Sequence, residues 1–85
     1  MIESFGNKLA EDLFFDRQST ETKLLPPQLR RSARRKMLYL HDVPVLSDLR
    51  IPRGYRTEAL KNNQWRITFR WDQDGAHEVA VIDFR

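Results

Sequence analysis

Residues 65–84 limit the possible folds more than any other stretch of the chain. Trp65, Ile67, Phe69 and Trp71 alternate with Arg66, Thr68 and Arg70, a period of two that gives one strand an apolar and a polar face. Asp72-Gln73-Asp74-Gly75 is turn chemistry, and Glu78 to Phe84 is a second, β-branched run. Apolar matching sets Trp71 opposite His77, Arg70 opposite Glu78, Phe69 opposite Val79 and Ile67 opposite Val81.

The preceding residues read mainly as helices. Met1 to Phe5 predicts a short strand, with Ile2 and Ser4 opposed to Glu3 and Phe5. Asn7 can cap a helix to about Phe15, with Glu11 and Asp12 early in it and Leu9 and Leu13 four apart on one face. Asp16 to Lys23 is a polar loop. Pro26-Pro27 suit a helix start, because proline lacks the N–H that a first turn leaves unpaired. That helix should run to about Leu40, with Leu29, Ala33, Met37 and Leu40 inside an arc of about 80°. Arg30, Arg31, Arg34 and Arg35 occupy its other side, and Lys36 falls near the apolar edge. His41 lies at its C-terminal end, where the helix dipole favours a cation, a plainer role than catalysis.

Residues 42–54 hold two prolines and a glycine and form a connector, pinned to the core by Val45, Leu46, Leu49 and Ile51. Tyr55 to Leu60 reads as a strand and Asn62-Asn63 as a tight turn. Two helices followed by an antiparallel meander make an α+β fold, two N-terminal helices packed on a small antiparallel sheet. There is no internal repeat.

At 85 residues the chain makes one domain, residues 1–85, and its 40% hydrophobic content suffices for one core. A core of this size buries only about 60–65% of the unfolded surface, so stability should be marginal. With 32% charged residues and no apolar run of about 18, no membrane-spanning helix is expected. The acidic start without an apolar core segment argues against a secretory signal, and the absence of cysteine excludes disulfides and thiolate metal sites. A cytoplasmic location follows as the expectation.

The net charge of +3 is unevenly spread. Residues 25–70 carry eleven basic and three acidic side chains, a balance of +8, while residues 1–24 stand at −2 and the last fifteen at −3. So positive a middle attracts a polyanion such as RNA, or an acidic protein partner. The competing reading is a solvated basic face.

The run from Asn63 to Trp71, closed by Val79-Ala80-Val81-Ile82-Asp83-Phe84, resembles the C-terminal signature of HigB-type plasmid-maintenance killer toxins, within the RelE/ParE toxin superfamily. Leu46 to Pro52 followed by Gly54, Glu58-Ala59-Leu60-Lys61, and Met1 to Phe5 resemble its middle and opening. The resemblance covers most of the chain except residues 16–28. It implies a growth-arresting toxin that cleaves messenger RNA in the translating ribosome, and a helix-turn-helix, HigA-like antitoxin that silences it. It also implies two helices on a curved antiparallel sheet, with no metal or cofactor. Two departures stand out. About one strand and its turn, ~10 residues, are missing after Lys61, so this RelE/ParE-like sheet is one strand shorter than usual. The usual Asp-Tyr-His ending is Asp83-Phe84-Arg85, and Glu58 replaces a histidine.

Metal-free RNA cleavage needs a base for the 2′-hydroxyl, cations for the phosphorane-like transition state and an acid for the leaving 5′-oxygen. Lys61, Arg66 and Arg85 match or adjoin family positions and supply cations, and Asp83 and Glu58 are the available carboxylates. Arg70 shares a strand face with Arg66, and Arg30, Arg31, Arg34 and Arg35 are further candidates for RNA contact. Two have structural alternatives, Arg70 paired with Glu78 and Asp83 salt-bridged to Arg66 or Lys61, and Phe84 is expected in the core rather than as a stacking platform. His77 is expected as an exposed turn residue. The weakened acid–base set leaves two rivals open: a toxin without RNase activity (a ParE-like gyrase poison or a relic that keeps its antitoxin), and a plain basic nucleic-acid-binding module.

Overall fold

The computed structural model describes residues 1–42, 54–60, 64–72 and 75–84. The elements run α1 (Lys8–Phe14), a 3-10 turn (Thr22–Leu24), α2 (Pro27–Asp42), β1 (Gly54–Ala59), β2 (Trp65–Asp72) and β3 (Gly75–Asp83). The three strands form one antiparallel sheet in the order β1-β2-β3. This is the expected α+β arrangement, helices first and strands after.

Local chemistry explains the helix starts. Asn7 is extended at φ −152°, and its side-chain oxygen accepts the Ala10 N–H at 3.0 Å. Its amide also donates to the Val81 carbonyl at 2.9 Å, tying the start of α1 to β3. α2 begins at Pro27 as the proline pair requires, and Leu29, Ala33, Met37 and Leu40 are buried. They meet Leu9, Leu13, Trp65, Ile67, Phe69, Trp71, Val79 and Val81 in one core. β2 alternates buried and half-buried residues along its whole length, as its sequence demands. Lys36 sits at the edge of the apolar stripe and reaches β1, 3.6 Å from Glu58. Among the described residues no helix is long and apolar enough to cross a membrane.

The β2–β3 register departs from strict apolar matching. Ile67 opposes Val81 as expected, but Trp71 opposes Ala76 and Arg70 opposes His77. A β-bulge intervenes: Phe69 faces two residues, and one of them, Glu78, adopts φ +55°. The cause is the spacing of the small and apolar side chains. Ala76 and Val79 are three apart and both fully buried, which strict alternation cannot achieve. The extra residue also keeps the His77 imidazole off the core face, where an unpaired polar group is costly.

Residues 1–6 follow the same step. They lie parallel to β3 through isolated bridges, Ile2 to Ala76 and Phe5 to Val79, so the expected strand is present but broken. Ile2 and Phe5 both pack on the core, correcting the simple alternation of Ile2 with Phe5. The Glu78 N–H, displaced by the bulge, donates to Ser4 Oγ at 2.9 Å. Gly6 passes so close that a Cβ there would lie 2.7 Å from the Glu78 carbonyl oxygen. The connector 43–53 and the Asn62-Asn63 turn lie outside the described residues.

Candidate functional site

Because the helices cover one face of the sheet, Arg66, Thr68 and Arg70 stand on the other, beside Ala59, Thr57 and Tyr55 of β1 and Ile82, Ala80 and His77 of β3. This outer face exposes Tyr55 (73%) and Phe84 (48%). Arg66 and Arg70 thus share a side, as read from the sequence, but their surroundings differ.

Arg70 is bracketed by acids. Its Nε lies 3.4 Å from Glu78 Oε2 and its Nη1 3.3 Å from Asp72 Oδ2. The Tyr55 hydroxyl donates to the same Glu78 oxygen at 3.4 Å. These half-exposed contacts are weak individually, yet they offset the charge. Arg66 has no such neighbour: among the described residues no carboxylate pairs with it, and its buried Nε has no hydrogen-bond partner. Its guanidinium carbon lies 5.1 Å from the centroid of the Phe84 ring, a cation–π contact. Phe84 is therefore not a core residue. Alternation along β3 places it on the outer side with Ile82, and its N–H donates to the Gln64 carbonyl at 2.6 Å.

The carboxylates lie elsewhere. Asp83 opposes Trp65, on the core-facing side of the sheet, and its Oδ1 accepts from Gln64 Nε2 at 3.3 Å. Alternation separates it from Arg66, and the expected Asp83–Arg66 ion pair is not formed. Glu58 is turned to Lys36 on the helix side. Lys61 and Arg85 lie outside the described residues. His77 is half-buried on β3, not exposed in the turn. Its partner Arg70 is four residues, about 13 Å, along the strand from Arg66. The described part of this face can thus bind a phosphate at Arg66 and stack a base on Phe84. It carries no proton-transfer group beside Arg66. Among the described residues no three His, Asp or Glu side chains converge as metal ligands.

The second cationic region lies on α2, across the core from Arg66. Arg30 Nε donates to the Leu25 carbonyl at 3.0 Å and Arg34 Nε to the Phe14 carbonyl at 3.2 Å. The latter satisfies an acceptor that the end of α1 leaves orphaned. Arg31 and Arg35 are exposed. The four arginines are thus not brought together with Arg66 and Arg70. His41 Nδ1 accepts the Ile2 N–H at 3.2 Å and its ring meets Phe14 edge-on. Its Nδ1 thus serves as an acceptor at the helix end.

Beneath α1, the Asp12 carboxylate is 2% exposed and bonded to Lys8, with Arg17 at 3.7 Å. The Lys8 hydrogen bond, opposed by burial, holds the Asp12 carboxyl below its usual range, and the same bond raises the Lys8 ammonium. No family model matches the chain, and no curated protein matches it significantly.

Proposed function

We propose that the chain is a HigB-like toxin of a type II toxin–antitoxin pair, a metal-independent endoribonuclease that engages messenger RNA on the ribosome through the outer face of its sheet. The observation that supports this reading is Arg66: a guanidinium without a carboxylate partner among the described residues, stacked on a half-exposed Phe84. Phosphate and base are the two parts of a nucleotide, and this pair offers a partner to each. The motif that resembles the killer toxins falls on the same strand. The helix-turn-helix antitoxin and a cytoplasmic location belong to the same proposal.

A second reading has its own support. Asp83 faces away from Arg66 and Arg70 is offset by two acids, which favours a toxin that binds without cutting. Induced expression with mapped message ends separates the two. The first reading expects growth arrest with messages cut at ribosome-engaged codons. It also expects Arg66→Ala to lower cleavage by at least tenfold, on the order of one lost transition-state cation contact, with the circular dichroism spectrum unchanged. Arrest with intact messages establishes the second reading, and trapped gyrase would place it on the ParE-like branch. RNA binding without arrest leaves the plain basic module.

A further inference from the structure

A cavity of about 170 Å³ opens between the end of α1, the loop after it and the first turns of α2. Arg17, Arg30, Arg31, Arg34, Asp16 and Pro27 are among the residues lining it. Two of its guanidiniums are set in place beforehand. Arg30 and Arg34 each spend one N–H, the Nε–H, on a backbone carbonyl. That bond fixes the plane of the fork and leaves the terminal N–H groups uncommitted. Arg31, between them in sequence, is exposed. Among the described residues none of the three has a carboxylate partner. Arg17 is different, being held by Glu11 at 3.4 Å and Asp12 at 3.7 Å.

Two carboxylates also line the cavity, but Asp12 is claimed by Lys8 and Arg17. Three guanidiniums then face Asp16 alone, a residual charge of about +2, matched by the −1.5 to −2 of a phosphate monoester near pH 7. Pro27, the first residue of α2, is among the lining residues, so the positive end of that helix borders the cavity. A single carboxylate supplies half that charge and cannot occupy three forks.

We infer that this cavity binds a phosphate group, as a phosphomonoester or as free phosphate, through the terminal N–H groups of Arg30, Arg31 and Arg34. The site is separate from the outer sheet face and does not rest on the toxin reading. Calorimetric titration of the full chain with inorganic phosphate at constant ionic strength tests it. Saturable one-to-one binding is expected, weakened on the order of tenfold or more by Arg31→Gln and unchanged by Arg35→Gln, whose side chain does not line the cavity. A 5′-phosphorylated oligonucleotide and its 5′-hydroxyl twin distinguish the source. Tighter binding of the phosphorylated strand, displaced by phosphate, assigns a nucleic-acid end. Equal binding of the two strands, with free phosphate still bound, assigns a small phosphate. Equal losses in the two arginine variants, no saturable heat, or binding of a hexaglutamate peptide but not phosphate would overturn the proposal.

Discussion

The two ends of the β2–β3 hairpin carry arginine on the same face and use it differently. Near the turn, Arg70 lies between Glu78 and Asp72. At the open end, Arg66 lies over Phe84, and among the described residues no carboxylate pairs with it. The strand is the same and the spacing is regular, so neither burial nor propensity separates them. What differs is the partner strand: the bulge brings Glu78 beside Arg70, whereas beyond it Ile82 opposes Arg66. A guanidinium's availability is thus set by its cross-strand neighbours, more than by its own position.

The most severe way to test this comparison is to remove the floor beneath both ends. Phe69, 3% exposed at the bulge, should cost about 3–5 kcal/mol as Phe69→Ala in chemical denaturation. If the loss is far smaller, the hairpin does not carry the core. Next comes Gly6→Ala, whose Cβ would meet the Glu78 carbonyl oxygen at 2.7 Å. We expect about 1–3 kcal/mol of destabilisation, with the amides of Ser4 and Glu78 shifting most in NMR spectra.

The bulge itself can be probed by two substitutions. Glu78→Ala removes the ion pair with Arg70 and the hydrogen bond from Tyr55 and keeps the left-handed φ, whereas Glu78→Gly also relieves that φ. The glycine variant should therefore be the more stable of the two by roughly 1 kcal/mol. Equal stability would mean that the backbone relaxes without glycine. At the open end Arg66→Ala should cost only about 0.5–1 kcal/mol, the worth of an exposed cation–π contact. A larger loss in thermal melts would make Arg66 a structural residue and remove it from the functional site.

The last test lies outside the hairpin and concerns only extremes of pH. Asp12 titrates below its unfolded value of 3.8, so its contribution is present above that value and is lost as acid carries the pH through the folded pKa. Lys8 titrates above 10.5, so its share is present below that value and is lost as the pH rises through the folded pKa. Lys8→Met should flatten both limbs of a stability–pH profile, and unaltered limbs would assign them to other groups.

Much of this was legible in the residues. Asn7 as a cap, Pro26-Pro27 as a helix start and the alternation from Trp65 to Trp71 each rest on a rule acting within a few residues, and each holds. The bulge was not legible, because its left-handed position carries glutamate where glycine would be the usual sign. The signal present was subtler: Ala76 and Val79 stand three apart, as do Ile2 and Phe5. The site was legible in part. Arg66 and Arg70 were placed on one face by period two alone. The apolarity of Phe84 points to the core, but its even-numbered position sets it on the outer face with Ile82. The anchoring of Arg30 and Arg34 depends on carbonyls of Leu25 and Phe14, which no spacing within α2 reveals. The phosphate cavity needs α1, the loop and α2 together, and Arg17 and Asp16 became candidates only there.

Residues 1–6 ride on β3, and Ser4 and Glu78 are 74 positions apart in the chain. During synthesis residues 1–6 therefore wait until β3 has been made before their seat exists. Until then Ile2 and Phe5 remain wet, and closing so long a loop is a late and slow event.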